Sequence, residues 1–368
     1  MIEFSLPKWY DLHTHFRQGV AVPAYIKAHL DMGCAGALAM PNTKPPTAVV
    51  FEKDEAAQEY WSIARYRNAL EQAGGDQFDH LITPLYLTKD TTPDMILEGA
   101  KSGLLQAAKA YPPHGTTGAE FGIPITEFTQ NGVFTAMEEA GVTLCIHGEE
   151  HGLSGDKYFD RTTNAEEIFY EQRMPLVREK FPNLKIVCEH VTTKKAVDFV
   201  RSSGTNTAAT ITPQHLIYTI GDLIQGLKYH LFCLPVLKHC EDRDALRDAV
   251  TDANNIQFFA GTDSAPHTTK ATDCGCAAGC FTGGIAPQLY AMSFELAGCD
   301  LSDPAQQETF KQFLCTNGAA FYNLPIPQGQ FTLIKQEQTV EPLPTEEGNV
   351  TPLPLGLKQT TLPWSLRV

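Results

Sequence analysis

The sequence predicts an α/β protein of the (β/α)8 TIM-type barrel class, and three observations carry that prediction. Short apolar runs recur along the chain, each stopping abruptly at polar residues and followed by a longer stretch of helical character. The runs are almost continuously apolar rather than alternating, as expected of parallel strands buried on both faces. A length of 368 residues with 43% hydrophobic side chains suits one barrel and can fill its core.

The expected strands, in order, are Trp9–Leu12, Gly36–Met40, Leu81–Leu87, Leu104–Ala108, Val142–Ile146, Leu184–Cys188, Thr207–Ile211 and Ile256–Ala260. Helix-like segments lie between them at Phe51–Ala73, Pro93–Ser102, Ile125–Ala140 and Asp242–Asp252. Phe232–Leu237 competes as a further strand. After about Pro325 the prolines at 342, 344, 352 and 354 predict an irregular C-terminal extension (326–368) on a single catalytic domain spanning 1–368.

A formal net charge of -15 argues against nucleic acid or an anionic membrane surface as partner. It leaves room for a small anionic substrate, because a local site can carry the opposite sign. No apolar run approaches the ~20 residues that span a bilayer. The first residues, with acidic Glu3, lack the basic-then-apolar layout of a signal peptide. Ten cysteines are therefore expected as reduced thiols in a cytoplasmic protein. Cys145, Cys188 and Cys233, inside apolar runs, read as small core residues.

Chemistry gathers where the expected strands stop. His13 and His15 close the first, Asn42 follows the second, Lys109 ends the fourth, His147 the fifth, His190 the sixth and Asp263 the eighth. In a barrel these ends converge on one mouth, where such folds place their active sites. Strand side chains alternate, so His13 and His15, two apart, point the same way and can grip one cation. His147 and His190 at successive strand ends suggest a second. A lysine at the end of an apolar strand has its pKa lowered by desolvation. Lys109 could then react as a neutral amine with CO2 to give a carbamate, an anionic ligand able to bridge two cations. Asp263 offers a hard oxygen ligand and a proton carrier. Each residue taken singly also has a bland reading: a core imidazole, a lysine reaching solvent, an aspartate capping a helix. His267, beyond the strand end, suits substrate contact better than ligation. Cys274, Cys276 and Cys280 lack the matching second pair of a structural zinc site.

The same stretches resemble the dihydroorotase family in its short bacterial, homodimeric form. The matching segments are Asp-Leu-His-Thr-His-Phe-Arg (11–17), Ala-Met-Pro-Asn-Thr-Lys-Pro-Pro (39–46), Ala-Ala-Lys-Ala-Tyr-Pro (107–112), Ile-His-Gly-Glu (146–149) and Glu-His-Val-Thr-Thr-Lys (189–194). Ala-Thr-Ile-Thr-Pro-Gln-His-Leu (209–216), His-Leu-Phe-Cys-Leu-Pro-Val-Leu-Lys (230–238), Gly-Thr-Asp-Ser-Ala-Pro-His (261–267) and Cys-Gly-Cys (274–276) follow in the family's order.

The resemblance implies two zinc ions per subunit, bridged by carbamylated Lys109 (N6-carboxylysine) and a hydroxide. His13, His15 and Asp263 would hold one ion, and His147 and His190 the other, with Asp263 as catalytic proton carrier. Arg17, Asn42 and His267 match positions for a substrate carboxylate. Thr116 and Thr117 match a loop whose hydroxyls close over substrate. Leu234 and Ala277 match backbone contacts to the substrate ring. The cysteine-rich loop is one residue longer than usual in the family, which leaves Ala277 and Ala278 as alternatives, and Thr14, Phe16 and Gln18 depart from the commonest wording.

The implied reaction is the reversible cyclisation of N-carbamoyl-L-aspartate to L-dihydroorotate in de novo pyrimidine (UMP) biosynthesis. Formal charges at such a centre leave a locally cationic pocket with Arg17 beside it. A hydantoinase or dihydropyrimidinase shares the metal logic but takes uncharged rings, against which Arg17 and Asn42 argue. An inactive scaffold would be expected to lack some of the six ligands, all of which are present.

Overall fold

The computed structural model describes residues 2–55, 59–273 and 275–368. Cys274, and residues 56–58 of the helix expected over Phe51–Ala73, lie outside the described residues.

Eight parallel strands form the barrel: Trp9–Thr14, Cys34–Ala39, a third in two pieces (His80–Ile82 and Leu85–Tyr86), Ala107–Ala110, Thr143–His147, Ile186–Glu189, Thr207–Ile211 and Phe258–Ala260. The third strand breaks at Thr83 and Pro84; proline has no N–H to give to a ladder. Its first piece pairs with the second strand and its last piece with the fourth, so it joins two runs of sheet. The eighth strand returns to the first, where Thr14 bridges Ser264 and the Asp263 amide donates to His13 O at 2.8 Å. That seam closes the barrel.

Alternation divides each strand between two cores. Ala107, Cys145, Val187, Ala208 and Phe259 pack inside the barrel with Tyr10 and Leu12. Ala108, Leu144, Ile186, Ala209 and Phe258 face outward, in one cluster with helix residues such as Val133, Met137, Val197 and Val200. Full burial of such a side chain contributes roughly 1.5–3 kcal/mol. The helix Asn317–Phe321 and the residues just after it, among them Tyr322 and Leu324, pack against the inner cluster.

The helices begin where capping chemistry allows. Thr92 caps Pro93–Lys101, with proline in the first turn, and Thr193 caps Lys194–Ser202. Three expected segments differ. The long helix over Phe51–Ala73 is a turn at Glu52–Asp54, a short strand Trp61–Ser62 and the helix Ile63–Gln72, which Ser62 caps. Ile125–Ala140 is two helices, Ile125–Phe128 and Val133–Ala140: the first stops at Thr129, and Gly132, at a left-handed φ of 85°, precedes the second. Phe232–Leu237 contains no strand.

The segment after Pro325 is more regular than expected. Gln330–Ile334 pairs antiparallel with the N-terminal strand Glu3–Pro7 and with Ser365–Arg367. Leu343–Thr345 and Gly348–Val350 form a hairpin, and Gln338–Thr339 pairs with Thr361–Leu362. Pro352 precedes the short helix Leu353–Gly356 and Pro354 lies in its first turn, where no ladder N–H is needed. Trp364 is fully buried against Phe4. No helix among the described residues is long and apolar enough to cross a membrane.

Gly36, in the second strand, is where the pairing is tightest: a Cβ there would lie 2.3 Å from His80 O and 2.7 Å from a Tyr10 ring carbon. Gly36→Ala should cost roughly 1–3 kcal/mol by overpacking, read as a lowered urea midpoint; an unchanged midpoint would contradict this pairing.

Candidate metal centre

Simple alternation carries Lys109, His147, Glu189 and Thr210 inward, each two residues beyond a side chain of the inner cluster. The first strand reaches the mouth differently. Tyr10 and Leu12 point inward, so unbroken alternation would turn His13 away, but the register gains a residue between Asp11 and Thr14. A bulge of this kind re-aims the side chains beyond it. It brings His13 and His15 to the mouth.

Asp11 anchors that bulge from outside. Its buried carboxylate accepts from the His13 amide (3.3 Å), the Thr262 amide (3.0 Å) and the Thr262 hydroxyl (2.6 Å), and lies 3.2 Å from His29 Nε2. One side chain thus ties the first strand to the turn after the eighth.

At the mouth, ligand atoms of His13, His15 and Asp263 lie within 4.8 Å of one another. Asp263 Oδ1 is 3.0 Å from His15 Nε2 and 3.5 Å from His13 Nε2. Burial alone would raise the Asp263 carboxyl, but hydrogen bonds from His13 and His15 outweigh it and hold the group well below the usual range. His147 and His190 stand alongside, with ring centroids 4.7 Å apart, and His190 is 4.9 Å from His13. Burial, then the charge of His147, keeps His190 neutral, and its Nδ1 has no partner.

Lys109 is fully buried and its Nζ makes no hydrogen bond. Burial lowers its pKa, which favours the neutral, nucleophilic amine. Its charge, when present, lowers both His13 and His190, so the amine lies near both groups of ligands. An orphaned buried amine beside four imidazoles and a carboxylate is a donor set that fits metal ions and an anionic bridge.

Arg17, His190 and Asp263 all adopt left-handed φ values, 58°, 40° and 48°. Such conformations cost about 1–3 kcal/mol each and persist where surrounding structure dictates them.

A pocket of about 370 Å³ opens over these groups, lined by His13, His15, Arg17, Asn42, Thr116, Thr117, His147, His190, Leu234 and Asp263 together with Tyr111, Ala265, Ala278 and Gly279. Ala277 does not line it: its amide donates to Lys270 O, and Ala278 lines the pocket instead. His267 stands behind Arg17, its Nε2 3.2 Å from Arg17 Nη2 and 2.8 Å from Ala278 O. Burial, then Arg17, pushes His267 down to about 4, so the ring is neutral and can donate to the Ala278 carbonyl. Arg17 Nη1 donates to Pro266 O at 2.6 Å. Asn42 also holds His15: its Oδ1 lies 2.7 Å from His15 Nδ1. That fixes the His15 proton on Nδ1 and leaves Nε2 to face Asp263.

Two buried carboxylates beside these histidines escaped the sequence reading. Glu189 Oε2 is 2.6 Å from His13 Nδ1, and Glu149 Oε2 is 2.8 Å from His147 Nε2. Strand alternation beside His190, and the Ile-His-Gly-Glu stretch, were the signals available. In both, burial favours the neutral acid, but the partner histidine prevails and lowers the pKa.

No protein-family model matches the sequence. Curated relatives include a dihydroorotase of Stutzerimonas stutzeri, 39% identical over 350 residues (94% of each chain). Another, from Picosynechococcus, is 39% identical over 363 residues (97% of each). Among solved structures, a Saccharomyces cerevisiae dihydroorotase in complex with 5-fluoroorotic acid superposes with a TM-score of 0.85 at 29% identity, covering 100% of this chain and 99% of that one. An L-hydantoinase of Arthrobacter aurescens has a TM-score of 0.69 at 15% identity, over 92% and 78% of the two chains, a likeness of fold alone.

Asp11→Asn would turn an amide N–H toward the Thr262 hydroxyl or the amides it now accepts. Leaving buried donors unmatched costs about 1–3 kcal/mol, so calorimetry should show a lower Tm; an unchanged melting profile would remove Asp11 as the anchor of the seam.

Proposed function

The chain belongs to the dihydroorotase family, and on that premise we propose that its barrel mouth catalyses the reversible, zinc-dependent cyclisation of N-carbamoyl-L-aspartate to L-dihydroorotate in de novo pyrimidine biosynthesis. The observation that carries the zinc reading is the fully buried, unpartnered Lys109 amine close to His13 and His190. His13, His15 and Asp263 would hold one ion and His147 and His190 the other, with Lys109 as N6-carboxylysine between them. Zinc bound there lowers the pKa of water and polarises a carbonyl.

The chain's own residues then do three things. Arg17, Asn42 and the neutral His267 behind them orient the substrate carboxylate, while Thr116, Thr117 and the backbone at Leu234 and Ala278 enclose the ring. Asp263, held as a carboxylate, moves the proton. In hydrolysis the water oxygen joins the ring carbonyl carbon, the C–N bond breaks, and an Asp263 oxygen passes the proton to the departing nitrogen. In biosynthesis the same oxygen receives the proton from that nitrogen as the ring closes and water leaves. Tyr111 and the threonine loop cover the pocket and limit bulk water.

The protein is proposed to work in the cytoplasm as a homodimer. Nine cysteines among the described residues are free thiols, in keeping with a reducing compartment.

Purified protein should contain about two zinc ions per chain and close N-carbamoyl-L-aspartate to a ring, with activity lost to a chelator. Hydantoin or dihydrouracil, lacking the carboxylate, should be poor substrates; a preference for them would shift the assignment to a hydantoinase.

Asp263→Asn should lower kcat by about 10²–10⁴-fold while dihydroorotate binding stays measurable by calorimetry. Near-normal turnover would exclude the proton carrier. Lys109→Ala should lose activity that short carboxylic acids such as acetate partly restore; full activity without them would remove the bridge.

A further inference from the structure

We infer that Glu189 is a positioning residue common to both metal subsites, orienting His13 of one directly and His190 of the other through the Thr210 hydroxyl. The inference rests on the zinc reading above and adds a residue to it.

Glu189 ends the sixth strand, 1% exposed, and Oε2 takes both contacts. It lies 2.6 Å from His13 Nδ1 and accepts from Thr210 Oγ1 at 2.6 Å. Thr210 Oγ1 in turn accepts from the His190 amide at 2.7 Å. A His13 tautomer with its proton on Nδ1 donates to Oε2 and leaves Nε2 for a metal. The threonine has one proton, which it gives to Glu189, leaving a lone pair for the His190 N–H.

That amide belongs to a residue at a left-handed φ of 40°, where a non-glycine backbone needs support. The chain Glu189–Thr210–His190 supplies it, and spans the sixth and seventh strands. The other histidines have private partners: His15 has Asn42, and His147 has Glu149. Among the hydrogen bonds of the described residues, those of Glu189 and Thr210 link ligands of both proposed subsites, so loss of Glu189 should loosen both, whereas loss of Glu149 should loosen one.

The test is zinc titration of metal-free protein against a chromophoric chelator, with cobalt absorption spectra reporting ligand geometry. Glu189→Gln should weaken both zinc-binding steps by about 10-fold or more and alter the cobalt spectrum at both positions. Glu149→Gln and Thr210→Val should each weaken a single step. Wild-type protein with two zinc ions and a Glu189→Gln variant that matches it, or loses only one step, would overturn the inference while leaving the proposed function standing. Wild-type protein that takes up no zinc would overturn both. Should Glu189→Gln fail to fold, Thr210→Val decides: one weakened step supports the relay, and two unchanged steps refute it.

Discussion

The seam between the first and eighth strands is the constraint on which the rest depends. The Asp263 amide donates to His13 O while its carboxylate faces the His13 and His15 rings, and Asp11 fastens the other side of the seam through Thr262. The contacts that close the barrel also bring together His13, His15 and Asp263, a group that could hold a metal ion. A barrel that opened here would separate His13 and His15 from Asp263, since the two histidines sit on one side of the seam and the aspartate on the other. The left-handed φ values at Asp263 and His190 fit this view, since a strained residue is retained only where its neighbours leave no alternative.

Electrostatics at the mouth follows from burial. Two carboxylates, Asp263 and Glu189, sit out of water, and each stays ionised because an imidazole stands beside it. Lys109 has no hydrogen-bonding partner and is driven the other way, toward a neutral amine. The same low-polarity surroundings therefore prepare anionic ligands and a reactive amine within one pocket. Arg17 faces the same pocket. Its guanidinium contacts Pro266 O and stands beside His267.

Much of this was legible in the residues. Thr207–Ile211 occupies the span expected, and the other strands begin or end within a few residues of it, because near-continuous apolar runs mark strands buried on both faces. Ten of the expected site residues line one pocket, since barrel topology brings strand ends together whatever their separation in sequence. The helix expected over Ile125–Ala140 stops at Thr129, and a second begins after Gly132, despite the apolar periodicity on either side. The C-terminal prolines suggested irregularity, yet strands formed there because the N-terminal strand offered a partner edge.

The amino-acid order by itself determined the repeating strand and helix units, the kinds of ligand at the strand ends and the buried lysine, because these depend on nearest neighbours and local periodicity. Tertiary structure decided which way the first strand turns at its bulge, that Ala278 rather than Ala277 reaches the pocket, and that Glu189 and Glu149 stand behind the histidines. Those outcomes hang on register and loop path, which are set by pairing between segments remote in sequence.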